Sequence, residues 1–205
     1  MDQVSFFGLE LVTHPGRVMK PRPASEQLVR RALELVGNRR ARLADVGTGS
    51  GAIAVAIAEA LPQVEIWATD TSRCAVALAR HNVRRHGLDR RVTVRHGDLL
   101  EPLNGSFDLV VANLPYLPTI VAPLRPELEA EPAEAVFADG DGLEPYRRLL
   151  SASEERLAAD GTLLIQLHRR VVEARRNELL RLRAVLERQT GEAWAPPVEV
   201  LGAAA

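Results

Sequence analysis

The segment Asp45-Val46-Gly47-Thr48-Gly49-Ser50-Gly51 decides the fold of this chain, because it joins a short apolar stretch to a run of small residues. A strand is predicted over Arg42–Val46 before this turn, and a helix over Ala52–Ala60 after it. Glycines permit a tight turn and a close approach of the backbone to a ligand, and the start of a helix attracts a carboxylate or phosphate. The spacing is G-x-G-x-G rather than G-x-G-x-x-G. The segment therefore predicts a strand–turn–helix unit with a ligand at the turn.

Strand and helix patterns alternate beyond this unit. Further strands are predicted at Val64–Thr69, Arg91–Arg95, Phe107–Ala112, Thr162–Leu167 and Val198–Leu201. Further helices are predicted at Ser72–His86, at Leu143–Ala159 with Gly161 at its end, and at Val171–Gln189. This alternation predicts an α/β, Rossmann-like fold with a mostly parallel central sheet and helices on both faces. Right-handed crossovers then bring the loops that follow the strands to one edge, where ligands bind.

The N-terminal part of the chain has a different pattern. Residues 1–20 contain short apolar runs, which indicate a small hairpin or an irregular lead-in. Ser25 is a predicted N-cap for a helix over Glu26–Val36. We therefore expect residues 1–40 to form a lead-in and helix packed on one ligand-binding domain that spans residues 41–205.

The composition is that of an ordinary globular protein. Of the 205 residues, 46% are hydrophobic and 26% are charged, which excludes a disordered or fibrous chain. Cys74 is the single cysteine, so a disulfide framework and a cysteine-based zinc site are excluded, and we expect its side chain to be buried. The histidines have no ligand spacing, so no metal site is predicted.

The sequence favours a cytoplasmic protein that does not enter a membrane. No basic-then-apolar leader opens the chain. The longest uncharged run, residues 109–124, contains Pro115, Pro118 and Pro123, which argue against a membrane span. The net charge of −1 gives the molecule as a whole no attraction for nucleic acid.

Two acidic residues follow the strands next to the glycine turn. Asp70 ends the next strand, where a carboxylate can accept hydrogen bonds from both hydroxyls of a ribose. Asp98 comes after the third strand, at a place where an adenine can be recognised. Solvated loop acids beside an unrelated glycine turn are the alternative. Because features of this kind follow three successive strands, the pattern favours a nucleoside site at this edge of the sheet.

The tetrapeptide Asn113-Leu114-Pro115-Tyr116 follows an apolar strand and faces the same edge. The Asn113 amide oxygen and the Leu114 carbonyl can each accept a hydrogen bond from a substrate NH2 group. Pro115 favours an extended Leu114, and the Tyr116 ring offers a flat face to a planar group. Together these groups would hold an amide or amine nitrogen with its lone pair aimed at an electrophile, which is catalysis by orientation. An N-x-P turn without a function is the alternative.

Residues 18–167 resemble the class I S-adenosylmethionine-dependent methyltransferases, and within them the HemK-type protein glutamine-N5 methyltransferases. The resemblance rests on the following segments: Pro21-Arg22-Pro23 with Glu26, residues 45–58, Asp70-Thr71-Ser72, Asn82, Asp98, residues 107–113 with Pro115-Tyr116, Glu131-Pro132 and Gly140-Asp141-Gly142-Leu143. The Glu-Pro and Gly-Asp-Gly-Leu pieces distinguish the HemK type. The resemblance implies a Rossmann-like methyltransferase fold and methylation of a protein glutamine side-chain amide.

The resemblance also implies S-adenosyl-L-methionine as the cofactor. Gly47, Gly49 and Gly51 would wrap its methionine part, Asp70 would bind the ribose and Asp98 the adenine. The full implied cofactor set is Asp45, Gly47, Thr48, Gly49, Gly51, Asp70, Thr71, Asp98, Leu99 and Asn113. The implied catalytic set, which would hold the target nitrogen, is Asn113, Leu114, Pro115 and Tyr116.

Departures from the family pattern leave the methyl acceptor open. Leu114 stands where the family usually has a proline, and Asn-Leu-Pro-Tyr is typical of the rRNA adenine-N6 dimethyltransferases. The bacterial release-factor enzymes carry a helical N-terminal domain that this sequence does not match, whereas archaeal and eukaryotic relatives use a small zinc-binding activator subunit. An activator subunit and a second copy of the chain are therefore candidate partners. The alternative functions are N-methylation of adenine in RNA or DNA, methylation of a small-molecule amine, and cofactor binding without turnover by a pseudoenzyme in a complex.

Charge is distributed unevenly around the predicted site. Residues 126–146 carry seven carboxylates and no Lys or Arg, whereas residues 80–96 carry six Arg and one Asp. Acidic residues beside a site repel phosphates, which favours a protein or small-molecule acceptor over a nucleic acid. We interpret the basic run as a solvated face of a helix and loop, with RNA contact as the alternative.

Overall fold

The computed structural model describes residues 1–168 and 198–203, and a parallel sheet lies at its centre. The strands are β1 (Asp2–Phe6), β2 (Leu9–Thr13), β3 (Ala41–Val46), β4 (Val64–Asp70), β5 (Val92–His96), β6 (Phe107–Ala112), β7 (Leu117–Pro118), β8 (Phe137–Ala138), β9 (Leu157–His168) and β10 (Val198–Ala203). Six of them form the central sheet in the order β10-β9-β6-β3-β4-β5, and each neighbouring pair is parallel. The predicted Rossmann-like α/β fold is confirmed.

Helices cover both faces of this sheet. They are α1 (Glu26–Val36), α2 (Ala52–Ala60), α3 (Arg73–Arg85), α4 (Ala133–Val136) and α5 (Glu144–Glu154), with short 3-10 turns at Pro23–Ser25, Thr119–Leu124 and Pro126–Leu128. Successive strand residues point to opposite faces, so Leu43 of β3 belongs to the core beneath α1, α2 and α3, and Ala44 belongs to the core beneath α5. The loops after β3, β4, β5 and β6 therefore meet at one edge between two packed layers.

The N-terminal residues form the hairpin that the sequence indicated as one of two options. Its strands β1 and β2 pair antiparallel. The buried Asn82 of α3 holds the hairpin against the glycine turn, since its Nδ2 donates to Val12 O at 3.0 Å and to Ser50 O at 2.8 Å, and its Oδ1 accepts from Val12 N at 2.9 Å. The boundary between a lead-in and a domain at residue 40 stays a prediction.

The predicted helix over Leu143–Ala159 is wrong at its C-terminal end. Helix α5 ends at Glu154, and β9 already begins at Leu157, which pairs with Phe107. The pairing register then shifts, and Gly161 lies inside the strand rather than after a helix. A Cβ atom on Gly161 would lie 2.7 Å from Phe107 O, so the glycine is required by the close approach of β6 and not by a helix end.

Two side chains near helix starts also differ from expectation. Ser25 precedes α1 with helical dihedral angles, φ −74° and ψ −11°, and its side chain makes no capping hydrogen bond. An N-cap residue usually has extended dihedral angles. Ser25 has helical angles instead, because it is the last residue of the 3-10 turn Pro23–Ser25. The Cys74 side chain is exposed rather than buried, because it points outward from the first turn of α3.

The predicted helix over Val171–Gln189 lies outside the described residues. The predicted strand over Val198–Leu201 is confirmed as β10, which pairs with β9 at the sheet edge. No helix within residues 1–168 and 198–203 is long and apolar enough to cross a membrane.

Candidate active site

A cavity of about 230 Å³ lies at the edge where the loops after β3, β4, β5 and β6 meet. Most of the residues that the sequence predicted for a cofactor line it: Gly47, Gly49, Asp70, Thr71, Asp98, Leu99 and Asn113. Leu114 and Pro115 of the predicted catalytic set also line this cavity. The other four predicted site residues do not line this cavity: Asp45, Thr48 and Gly51 are buried, and Tyr116 is half-buried.

The glycine turn serves two different steric purposes. Gly47 has φ +71°, and a Cβ atom there would come within 2.6 Å of Leu114 Cδ2, so the absence of a side chain lets the two loops pack together. Gly49 has φ +57°, and a Cβ atom there would have its nearest neighbour 4.0 Å away, at Val18 Cγ1. The space in front of Gly49 therefore belongs to the cavity, and its backbone is open to a ligand.

Asp70 joins the glycine turn to the start of α3. Its Oδ2 accepts from Gly49 N at 2.9 Å, and its Oδ1 accepts from Ser72 N at 2.8 Å. Burial raises the pKa of Asp70 above its ordinary value, and the two backbone hydrogen bonds oppose that rise. The carboxylate thus lines the cavity in a fixed orientation, and each oxygen keeps lone-pair capacity for hydroxyl groups of a ligand.

Asp45 is buried beneath the turn. Its Oδ2 accepts from Thr48 Oγ1 at 2.6 Å and from Ala54 N at 3.2 Å, which fixes the turn to the first residues of α2. Its Oδ1 is buried and has no hydrogen-bond partner within the described residues. Loss of hydration on burial raises the pKa of Asp45 from 3.8 to about 6, against the lowering effect of Thr48 and Ala54.

The raised pKa predicts how Asp45 affects stability. Because the folded-state pKa of about 6 exceeds the ordinary value of 3.8, the folded protein binds more protons than the unfolded chain between these pH values. The Asp45 contribution is therefore present at low pH and lost as the pH rises through 6. Relative to the Asp45→Asn variant, we expect the free energy of unfolding of the wild type to fall by about 2 kcal/mol between pH ~4 and 7.

Urea denaturation of both proteins across this pH range measures the difference. Asp89→Asn serves as the control, because Asp89 is exposed and its replacement should follow the wild-type curve. A difference between wild type and Asp45→Asn that is independent of pH, or that grows in favour of the wild type at high pH, would contradict the assignment.

Asp98 forms an ion pair with Arg148 of α5, and both residues line the cavity. Arg148 was missed by the sequence analysis because no motif connects it with Asp98, fifty positions earlier. Other wall residues were missed for the same reason: Arg17, Met19, Pro132, Glu134, Ala135 and Pro145. They come from the segment after the hairpin, from the loop around α4 and from the first turn of α5, which the fold brings over the strand edge.

The loop after β6 is held by its backbone as well as by its side chains. Leu114 N donates to Tyr146 Oη at 3.0 Å, and this hydroxyl lies 2.8 Å from Leu114 O and 2.9 Å from Gln166 O. The hydroxyl has one proton for two carbonyls, so the Leu114 carbonyl keeps capacity for a second donor. Burial raises the pKa of Tyr146 well above its ordinary value, so it stays a neutral donor. Tyr146 carries no motif signal in the sequence.

The Asn113 side chain makes one hydrogen bond within the described residues. Its Nδ2 donates to Ser25 Oγ at 2.9 Å, across 88 positions of the chain. Burial raises the pKa of the neighbouring Tyr116 above its ordinary value, so this ring is also neutral.

A second cavity, of about 800 Å³, adjoins the first. The two cavities share four wall residues: Pro115, Glu134, Pro145 and Arg148. The second cavity is lined mainly by residues 119–145, including the carboxylates of Glu129, Glu131, Glu134, Asp139 and Glu144. Pro115, from the loop after β6, therefore forms part of the wall of both cavities.

Arginines from outside the acidic segment 126–146 neutralise part of its charge. Glu131 pairs with Arg22 at 2.6 Å, Asp141 pairs with Arg147 at 2.7 Å, and Glu127 pairs with Arg125. The repulsion of phosphates predicted for this segment is therefore weaker than its composition alone implies. In the part of the chain that the structure describes, no group of three or more His, Cys, Asp or Glu residues could hold a metal ion.

The family model described as methyltransferase small domain matches residues 19–121. The chain belongs to this family. Residues 41–121 of the matched range contain β3 to β7, so the match covers the glycine turn, Asp70, Asp98 and the Asn113 loop.

Named relatives of this methyltransferase small domain are longer proteins. The release factor glutamine methyltransferase of Deinococcus radiodurans is 41% identical over 167 residues, which are 80% of this chain and 59% of that protein. The ribosomal protein uL3 glutamine methyltransferase of Bradyrhizobium diazoefficiens is 41% identical over 130 residues, which are 62% of this chain and 41% of that protein. The chain thus spans less than two thirds of the length of these curated relatives.

Solved structures with this fold have diverged further in sequence. A ribosomal protein L11 methylase from Lactobacillus delbrueckii subsp. bulgaricus has a TM-score of 0.59 at 21% identity, and the match covers 81% of this chain and 72% of that one. A precorrin 8W decarboxylase from Methanobacterium thermoautotrophicum has a TM-score of 0.57 at 18% identity, and the match covers 85% of this chain and 77% of that one. The different activities in these two names agree with a shared fold rather than a shared substrate.

Proposed function

We propose that the chain transfers a methyl group from S-adenosyl-L-methionine to a nitrogen, and that the nitrogen is a glutamine side-chain amide in a protein. The observation that carries the proposal is the position of Pro115, whose loop lines both cavities. A donor in the smaller cavity and an acceptor in the larger one would meet at the loop that contains Asn113 and Leu114. Family membership and the names of the relatives support the same reaction.

The residues of the smaller cavity fit the proposed cofactor. The open space at Gly49 would be filled by a Cβ atom and suits the approach of a ligand to backbone. Asp70 would bind the ribose hydroxyls, and Asp98, with Arg148 beside it, would lie at the adenine. Asp45, buried beneath the glycine turn, would fix that turn around the methionine part through its hydrogen bonds with Thr48 and Ala54. When bound, this cofactor supplies an electrophilic methyl group on a sulfonium sulfur.

The chain's own contribution is the orientation of the acceptor. Asn113 Oδ1 and the free lone pair of the Leu114 carbonyl would accept hydrogen bonds from the two N–H groups of an amide or amine. With both protons held, the nitrogen lone pair points toward the methyl group, and no further reorganisation is needed. Tyr116 would flank the planar group with its neutral ring. Leu114 itself packs on Gly47, which ties the acceptor loop to the cofactor loop.

A protein acceptor is supported by two separate observations. The relatives are named for glutamine methylation of a release factor and of ribosomal protein uL3. The larger cavity contains more carboxylates than arginines, so it favours a neutral or basic polypeptide over a phosphate backbone. The proposal includes the cytoplasm as the location, because proteins of the translation machinery act there.

A labelling experiment separates a protein acceptor from a nucleic-acid acceptor. The enzyme is incubated with methyl-labelled S-adenosylmethionine and either a cell extract or purified, unmethylated release factor. We expect label that resists RNase and is lost with protease, and an apparent affinity that changes little between low and physiological salt. Nucleic-acid binding would instead weaken steeply with salt, because each phosphate contact releases counterions.

The double variant Arg84→Glu and Arg85→Glu is the matched control. Both side chains are exposed on α3, away from the two cavities, and we expect the variant to fold and turn over normally. A steep salt dependence together with loss of activity in this variant would support adenine methylation and overturn the protein acceptor.

A further inference from the structure

The direction in which the Asn113 amide points depends on Ser25. The hydrogen bonds of the described residues give this amide one partner, Ser25 Oγ, which accepts from Nδ2 at 2.9 Å. The Nδ2 and Oδ1 atoms of an asparagine lie on opposite sides of Cγ, so a partner that holds Nδ2 turns Oδ1 away from itself. Asn113 lines the smaller cavity, and Oδ1 is then free to face a ligand.

Ser25 is held rigidly enough to serve this purpose. The residue is 6% exposed, and its backbone N donates to Arg22 O at 2.9 Å within the 3-10 turn. Gln166 of β9 fixes the preceding residue, because its Nε2 donates to Ala24 O at 2.8 Å. Since β9 is the neighbour of β6, the sheet that carries Asn113 also fixes the turn that carries its partner.

The Ser25 hydroxyl makes no other hydrogen bond within the described residues. Its helical dihedral angles keep it from capping α1, and no capping hydrogen bond forms. A buried serine at the start of a helix usually satisfies a backbone N–H group of that helix. Here the hydroxyl is turned instead toward a side chain that lies 88 positions away, at the end of a different strand.

We propose that Ser25 is a positioning residue for methyl transfer, which holds Nδ2 of Asn113 so that Oδ1 accepts from the acceptor nitrogen. The proposal rests on the proposed function, in which Asn113 touches the acceptor. Ser25 itself acts only through Asn113. Its loss should therefore impair the reacting geometry more than the binding of either reactant.

Steady-state kinetics with purified release factor test the proposal. We expect Ser25→Ala to lower kcat about 10- to 100-fold, the size of effect that misplacement of a reacting group produces. The KM for release factor and the Kd for S-adenosylhomocysteine should change less than about twofold, because the contact is used in the transition state. Ser25→Thr keeps a hydroxyl at the same place and should retain most of the wild-type kcat.

Two controls distinguish positioning from packing. Ser153 is also buried and donates to Leu149 O at 2.7 Å, but it lies away from both cavities, so Ser153→Ala should keep the wild-type kcat. In an Asn113→Ala background, Ser25→Ala should cause no further loss, because the two residues act through one contact. Wild-type kcat in Ser25→Ala, equal losses in Ser25→Ala and Ser153→Ala, or an additive loss in the double variant would each overturn the proposal.

A nuclear magnetic resonance measurement tests the contact without turnover. The side-chain amide signals of Asn113 are assigned by their absence in Asn113→Asp. With S-adenosylhomocysteine bound, Ser25→Ala should shift these signals and Ser153→Ala should not. Unchanged signals in Ser25→Ala would overturn the role of Ser25. If the wild-type enzyme did not methylate release factor, the proposed function would be overturned instead. The Asn113 amide signals would still show whether Ser25 contacts Asn113.

Discussion

Replacement of Asn113 by alanine is expected to lower kcat about 100- to 1,000-fold, as loss of one oriented transition-state hydrogen bond does in other enzymes. The side chain follows β6 and lines the smaller cavity, with Oδ1 free of any hydrogen bond that the described residues provide. Its removal takes away an acceptor for one N–H of the target nitrogen. The neighbouring glycine turn and Asp70 keep their contacts, so the Kd for S-adenosylhomocysteine should stay within about twofold of the wild-type value.

Single-turnover kinetics and calorimetry on the same preparations measure the two quantities. Asn104→Ala is the matched control, because Asn104 is an exposed asparagine before β6 that contributes only its backbone carbonyl to a contact, with Arg42. Asn104→Ala should behave as wild type in both measurements. Wild-type turnover in Asn113→Ala would show that Asn113 only shapes the turn. A loss of cofactor affinity as large as the loss of kcat would show that Asn113 binds the cofactor and not the acceptor.

The parts of the site that the sequence predicted are local in the chain. The glycine turn, Asp70 and Asp98 each follow a strand whose apolar pattern is visible, and parallel strands end at the same edge of a sheet. The alternation of strands and helices was therefore enough to predict that these residues would lie at the same edge. Helix α2 was predicted with the bounds that it has, since its small apolar residues lie between a glycine and a proline.

The parts that the sequence did not predict depend on contacts between distant positions. Ser25 and Asn113 are 88 positions apart, and Gln166 and Ala24 are 142 apart. No periodicity or spacing records such pairs, because they arise only when the 3-10 turn before α1 packs at the end of β6 and β9. The same limit explains why Tyr146, which joins α5 to the Leu114 backbone, was missed.

Gly161 and Ser25 show how a local rule can select the wrong explanation. A glycine after a helical pattern is typical of a helix end, but Gly161 is required by the close approach of Phe107 O. A serine before a helical pattern is typical of an N-cap, but the Ser25 side chain accepts no capping hydrogen bond, because its backbone is already helical. In both cases the residue type indicated a structural role at that position. The tertiary contact determined which of the possible roles the residue has.

Replacement of Gly49 by valine is expected to remove cofactor binding. Gly49 has φ +57°, and its Cβ position faces open space in the smaller cavity, so the branched side chain would occupy the volume that the ligand needs. Overpacking of this kind costs about 1–3 kcal/mol, and its upper end corresponds to a loss of affinity of about 100-fold. Backbone strain acts separately, on the stability of the fold, because a residue with a Cβ atom is disfavoured by about 1–2 kcal/mol in the left-handed region.

Gly87→Val separates the steric block at Gly49 from backbone strain. Gly87 has φ +67° and no atom within 4 Å of its Cβ position, and it lies after α3, remote from both cavities. Both variants should lose a similar amount of unfolding free energy, but only Gly49→Val should lose S-adenosylhomocysteine binding in calorimetry. If Gly87→Val lost affinity equally, strain would explain the effect. If Gly49→Val bound normally, the cofactor would not occupy the open space in front of Gly49, which would contradict the assigned cofactor site.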